Sequence, residues 1–410
     1  MASRIIFLSV ILLLIDLFAF QAFRYVMGSS GRITRIVTYA IYWSIPVITI
    51  AFLVAALTGW SDNLPKTLKV VLRAMIFILY FSKLLVALMI LIDDLRRLIF
   101  GALNLGFKDH WNLSTARSRW MPMAALILGA IPAISLSYGM ALNPYRYKLW
   151  KNRLNIKDLH PDLAGFKIIQ ISDIHSGSFL LREPVEQSIK MINDQKPDIV
   201  FFTGDLVNAL ASEMEPFVEM FSKIQAPYGV YSILGNHDYG DYHPWPNEDD
   251  KHQNFEDLKG MHAKLGWTLL LNEHRQISVK DALLNIIGVE NYSSHPRFPK
   301  YGDLTKATTG LNGGSFNVLL SHDPSHWDDQ VIRDFKHIEL TLSGHTHGFQ
   351  FGVEIPGFKW SPIQYVYPRW SGLYQEAAQY LYVNRGLGYL GYPGRVGILP
   401  EITFLTLETA

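Results

Sequence analysis

Residues 167–175 read Lys-Ile-Ile-Gln-Ile-Ser-Asp-Ile-His, and this stretch decides the fold class. Lys167–Ile171 is a short β-branched apolar run that reads as a buried strand. It ends in Ser172-Asp173-Ile174-His175, which brings two metal-ligand side chains to the strand end. Four later segments repeat the design. Asp198–Thr203 runs into Gly204-Asp205, and Gly229–Leu234 into Gly235-Asn236-His237-Asp238. Asn317–Ser321 runs into His322-Asp323, and Glu339–Leu342 into Gly344-His345-Thr346-His347. In open α/β sheets, ligands gather beyond the carboxyl ends of the strands. Glycines precede three of these groups and let the backbone turn sharply as it leaves the sheet.

Working outward, Glu183–Asp194 reads as a helix that stops before Pro197. Further strands are expected at Thr268–Leu271, Gln276–Val279, Leu284–Val289, Tyr380–Val383 and Ile402–Leu407, and Phe358–Tyr374 as a structured loop. Residues 144–410 thus form one large α/β domain.

Upstream the material changes. Residues 1–141 carry 13 basic and 5 acidic side chains, a net of +8, while the rest carry 24 and 31, a net of −7. Of the histidines, only His110 lies in the first part. Ile5–Phe23, Ile36–Leu57, Val70–Ile92 and Met121–Leu142 are each long and apolar enough to cross a bilayer, which takes about 20 residues. The first is too long for a signal peptide and holds Asp16. Residues 1–143 are therefore expected to be a multi-pass membrane domain of four helices. Leu95, Leu98, Ile99, Ala102 and Leu103 recur at helical spacing with Arg96 and Arg97 on another face, the pattern of a helix in the membrane interface. Basic residues near the membrane, Arg4 and Lys108 among them, divide evenly between the two sides, so charge does not orient the chain. Asp16 and Lys83 sit at similar depths in the first and third spans and are expected to pair, since intramembrane charges are usually paired.

Composition narrows the chemistry. With no cysteine, disulfides, thiolate zinc sites, iron–sulfur clusters and thiol nucleophiles are excluded. A net charge of +1 argues against general nucleic-acid binding. The residue types at the five strand ends suit two adjacent divalent cations, manganese favoured, with zinc, iron or cobalt as alternatives. From spacing alone, Asp173 and His175 leave an extended segment on one face and reach one ion, and His345 and His347 do the same. His160, His252, His262, His274, His295 and His337 read as surface or loop histidines. His243 and His326 lie closer to the motifs.

Together these motifs resemble the calcineurin-like metallophosphoesterase superfamily. The closing Val383-Asn384-Arg385-Gly386-Leu387-Gly388 and Pro400-Glu401-Ile402 resemble its YkuE-type membrane-associated branch. The resemblance implies an α+β fold, a two-sheet αββα sandwich after the membrane helices. It implies that Asp173, His175 and His347 hold a first metal and that Asn236, His322 and His345 hold a second, with Asp205 bridging. His237 would sit over the phosphate as general acid or charge stabiliser, and Asp238 would orient it. Two such cations activate water and neutralise phosphate oxygens.

The expected function is a membrane phosphohydrolase acting on a lipid-linked phosphodiester or pyrophosphate. By resemblance the substrate is similar to UDP-2,3-diacylglucosamine, which would require the catalytic domain to face the cytoplasm. The basic run Arg146, Lys148, Lys151, Arg153 and Lys157 would meet lipid headgroups. Trp360, Tyr365, Tyr367, Trp370 and Tyr374 would form an aromatic rim beside the metals. The alternatives are a general membrane-tethered phosphodiesterase, a non-catalytic receptor or scaffold, and a transporter with a regulatory soluble part.

Overall fold

The computed structural model describes residues 2–107, 112–311 and 316–410. Lys108 and His110 lie outside the described residues, as do the side chains of Arg4 and Ile5. The chain divides into two compact units, Met1–Tyr138 and Gly139–Ala410.

In the first unit, α1 covers Ala2–Val26, α2 Arg32–Leu57, α3 Lys66–Gly106 and α4 Met121–Leu142. All four are long and apolar enough to span a membrane. Small side chains let them approach closely. Ala19 and Ala22 of α1, Ala87 of α3 and Ala125 of α4 meet in one buried cluster. Large apolar side chains such as Ile41 and Leu98 point outward, as in a helix facing lipid.

Asp16 and Lys83 do pair, at 2.6 Å, and both are buried. Tyr80 donates to the second carboxylate oxygen at 2.8 Å. Tyr42 donates to the Asp16 carbonyl at 2.7 Å and lies under the Lys83 ammonium, 4.5 Å from its ring centre. Four groups thus satisfy one another inside the helical unit.

The expected separate interfacial helix is corrected. Residues 95–106 continue α3 without a break. At 1.5 Å per residue its 41 residues reach roughly 60 Å, about twice the hydrocarbon thickness. Arg96 and Arg97 do not form a free polar face either. They pair with Asp93 and Asp94 at 2.9 and 2.7 Å. They also bind the carbonyls of Ser114, Thr115 and Ala116, tying the end of α3 to the segment before α4.

The second unit carries the strands. In chain order β1 is Lys148–Ile156, β2 Lys167–Ile171, β3 Ile199–Phe202, β4 Val230–Ser232 and β5 Thr268–Leu269. Then follow β6 Glu273–Val279, β7 Ala282–Gly288, β8 Phe316–Leu320, β9 Leu340–Ser343, β10 Val353–Ile355 and β11 Phe358–Trp360. The last are β12 Gly372–Glu376, β13 Gln379–Val383 and β14 Glu401–Thr409. Among the described residues they form two six-stranded mixed sheets, β1-β14-β2-β3-β4-β5 and β12-β13-β9-β8-β7-β6, and the hairpin β10-β11. The run β2-β3-β4-β5 is parallel, as is β7-β8-β9-β13.

The inner faces of the sheets meet in one core containing Ile168, Phe201, Ile286, Val318, Leu342 and Leu405. Helix α5, Glu183–Asp194, covers the outer face of the first sheet with Val185, Ile189 and Ile192. The second outer layer is thin, made of Leu304–Thr308 and the short helical segments Trp327–Val331 and Ile332–Asp334. This is the expected sandwich, built from mixed sheets. Both parallel runs present their carboxyl ends to one edge, and the candidate ligands leave the sheets there.

Candidate metal centre

The strand-end side chains converge on one point. His175 Nε2 lies 3.0 Å from His347 Nε2, which is 3.2 Å from an Asp173 oxygen. Asp205 Oδ2 lies 3.5 Å from His175 Nε2 and 3.2 Å from His322 Nε2. His345 Nδ1 is 2.8 Å from Asn236 Oδ1 and 3.3 Å from His322 Nε2. Asp173, His175 and His347 therefore form one group, Asn236, His322 and His345 a second, and Asp205 lies between them. The spacing argument for His345 and His347 is corrected, because the two rings diverge into different groups.

The local cause is backbone conformation rather than strand alternation. Asp173, His175, Asp205, His345 and His347 all have left-handed φ, between 45° and 69°. Such φ values are uncommon outside glycine and cost about 1–3 kcal/mol each when strained. They persist because the surrounding atoms over-determine them. The His345 amide donates to both Asp173 oxygens at 3.0 and 3.1 Å. The His237 amide donates to Asp205 Oδ1 at 2.9 Å. Gly386 carries no Cβ because one would stand 2.9 Å from Asp173 Cβ and 3.0 Å from His347 Nδ1. The Asn384–Gly388 segment is thus a backing for the first ligand group.

The donor set fits divalent cations. His175 Nδ1 is bonded to the Val207 carbonyl at 3.2 Å and His322 Nδ1 to the Thr203 carbonyl at 2.7 Å, which fixes those protons outward and points both Nε2 atoms inward. His345 is mounted the other way round. Its Nε2 is engaged by Tyr367 at 2.9 Å and Asp323 at 3.5 Å, leaving Nδ1 as the inward atom. Four imidazole nitrogens, two carboxylates and one amide oxygen then face a shared space, a donor set that suits divalent cations.

Electrostatics agree. Burial pushes His175 down to about 3, which favours the neutral, ligating ring. Burial opposes the charge on Asp173, yet His347 and His322 hold its carboxyl below the usual range. Burial would also lower His322, but Asp205 beside it prevails and raises the ring to about 10. A cation entering that group must displace the His322 proton, so metal binding releases protons.

His237 stands at the rim, half-buried, with its ring 4.9 Å from that of His175. The expected role of Asp238 is corrected. Its carboxylate accepts from the amides of Gly235, Asp205 and Leu206 at 2.8–2.9 Å and so holds two ligand loops together. The group that orients the His237 ring is the Asn208 carbonyl, 2.8 Å from Nδ1.

Several side chains contribute in ways that were not foreseen. Tyr242 packs on His237 with ring centres 4.3 Å apart and accepts from Asn236 at 2.9 Å. Tyr367 bridges His345 and Asp323, and His295 packs on it at 4.6 Å. Buried Arg395 reaches His347 Nδ1 at 3.4 Å while binding the carbonyls of Gly386 and Gly388. Tyr367 was expected beside the metals as part of an aromatic rim, but a hydroxyl or carbonyl that positions a ligand leaves no spacing pattern, so no sequence signal marked its role or those of Tyr242, His295 and Arg395.

Other expectations change. His326 lies behind the centre, bonded to Ser321 and Gln330, and His243 packs against Trp245. His262 is not a surface residue but fully buried. The aromatic rim is only partly present. Tyr367 and Trp370 are buried together with Ile398, whereas Tyr365 is exposed.

Comparison with known proteins agrees with this geometry. Residues 166–349 match the family described as calcineurin-like phosphoesterase, and residues 3–143 match the transmembrane domain of probable calcineurin-like phosphoesterases. The chain is 30% identical over 293 residues to the uncharacterized metallophosphoesterase YkuE of Bacillus subtilis, covering 70% of this chain and 94% of that one. It is 30% identical over 295 residues to a transmembrane protein with metallophosphoesterase domain from Danio rerio, covering 70% of this chain and 62% of that one.

Proposed function

The chain belongs to the calcineurin-like phosphoesterase family, and from that premise we propose that it hydrolyses a phosphodiester or pyrophosphate bond of a lipid-linked substrate. It is a membrane-associated, metal-dependent phosphoesterase. The observation that carries the proposal is the convergence of seven ligand side chains in two groups joined by Asp205.

Asp173, His175 and His347 would hold one cation and Asn236, His322 and His345 the other, with Asp205 between the two groups. When bound, the pair supplies activated water and neutralises the phosphate oxygens. The chain's own residues do the rest. With Nδ1 committed to the Asn208 carbonyl, His237 exchanges protons only through Nε2. It therefore protonates the departing oxygen as general acid. Tyr242 limits the swing of that ring. Tyr367 and Asp323 keep His345 in the tautomer that presents Nδ1.

Four spans exceed what tethering needs, since one anchors a domain, and this supports a substrate drawn from the bilayer. UDP-2,3-diacylglucosamine is the favoured type, and with it a cytoplasmic catalytic domain. The test compares cleavage of a diacylated substrate with cleavage of its deacylated headgroup by the purified full chain. A higher kcat/KM for the diacylated form is expected. Equal values overturn the lipid reading and leave a membrane-tethered phosphodiesterase.

A further inference from the structure

The β10–β11 hairpin is built inside out. Val353 pairs with Trp360 and Ile355 with Phe358, and strand alternation puts all four on one face. Glu354 and Lys359 take the other face. In a soluble protein the apolar face would turn inward. Here the polar face is the one pinned to the body, through Glu354 to Arg385 at 2.5 Å and Lys359 to the Ser371 carbonyl at 2.6 Å. The apolar face is left outward, with Ile355 58% and Phe358 54% exposed. Tyr365, 78% exposed, extends it, its hydroxyl 3.5 Å from Trp360 Nε1. Pro356-Gly357 closes the tip, with Gly357 at φ 79° in the position where a type II turn requires a positive angle.

The hairpin's attachment identifies what covers this face. The chain leaves its fourth span at Leu142. Within the second unit, the Arg395 amide donates to the Gly139 carbonyl at 3.2 Å, and Asn143 donates to the Arg395 carbonyl at 2.8 Å. Val396, the next residue, exchanges backbone hydrogen bonds with Gln350 and Gly352 at 2.8 and 2.9 Å. Gly352 immediately precedes the hairpin. The apolar face is thus joined through two residues to the point where the chain leaves the bilayer. Beside it, exposed Lys148 lines a groove with Ile355 and Phe358 and offers a cation to anionic headgroups.

We propose that Val353–Trp360 is a membrane-docking hairpin whose apolar face seats in the interface of the bilayer that the chain spans. Trp and Tyr belong to that layer, and Phe and Ile reach below it. Because His347 lies six positions before Val353, docking fixes the metal centre close to the headgroups. The proposal is independent of which bond the centre cleaves.

The natural absence of cysteine makes the test clean. Phe358→Cys and, as a control, Lys280→Cys each introduce a sole thiol into the full chain. Lys280 is exposed in the β6–β7 turn, at the opposite end of the strands from the ligands. Each is labelled with an environment-sensitive dye and reconstituted into nanodiscs of phosphatidylcholine and phosphatidylglycerol. Nitroxide lipids labelled high on the acyl chain are then added. The label at 358 should lose emission and that at 280 keep it, both proteins having the unlabelled chain's thermal midpoint. Equal emission at the two positions overturns the proposal. Dye self-quenching at 358 that nitroxide does not alter also overturns it and assigns the face to a second copy of the chain.

Discussion

Single side chains carry the most exposed commitments of this structure. Lys83 and Asp16 are buried in the helical unit at 2.6 Å, and removing one partner strands the other. Lys83→Met should cost about 3–5 kcal/mol, and adding Asp16→Asn should recover much of it. Thermal midpoints in detergent for the two single variants and the double variant check this. Additive losses would contradict the pairing. His262 makes a different prediction. Burial lowers its pKa from 6.5 to about 3, and neither ring nitrogen has a hydrogen-bond partner among the described residues. The folded chain refuses a proton that the unfolded chain accepts below pH 6.5, so stability falls as pH drops from 6.5 toward 3. The slope from this one group is at most about 1.4 kcal/mol per pH unit. His262→Phe keeps the packing beside Phe202 and Trp267 and should flatten the acid limb. Parallel pH curves for the two proteins would contradict this. At this scale the ligands were legible, because the chemistry demands Asp, Asn and His at strand ends. His262 was not, because half of its neighbours in Glu248–Lys264 are charged and hide the one buried face.

Elements were legible where periodicity was undisturbed. Lys167–Ile171 and Glu183–Asp194 were read at the bounds the structure shows. β1 was missed because its basic residues read as a headgroup segment. It is an edge strand of the first sheet, and lysines on an edge discourage further pairing. The end of α3 was misassigned because an amphipathic stripe looks the same on an interfacial helix as on the extension of a span. The loops after the strands depend on close approach. A Cβ at Gly344 would overlap Ser172 Oγ and Asp173 Oδ2. Gly344→Ala should therefore disturb both ligand groups, lowering bound metal together with activity while the far-ultraviolet circular dichroism stays unchanged. Metal content equal to that of the parent chain would show that the loop has room the structure does not.

At the scale of the whole molecule, two compact units divide the work: one meets the criteria for crossing a membrane, and the other carries the ligands. This division was visible in the charge and apolar patterns alone. The geometry of the centre was not, because it is set by left-handed turns and by backbone carbonyls such as Thr203 and Val207. The central claim is that two cations are held around Asp205 and that His237 acts on the substrate without holding either. The most direct test is metal content per chain after saturation with Mn²⁺ and removal of the excess, measured for the parent chain, Asp205→Ala and His237→Ala, with turnover of a phosphodiester alongside. The account predicts two ions in the parent and fewer in Asp205→Ala, with activity lost. It predicts two ions in His237→Ala, with turnover slowed about 10²–10⁴-fold, the range for a missing general acid. Fewer than two ions in the parent chain, or two in Asp205→Ala with full activity, would contradict it.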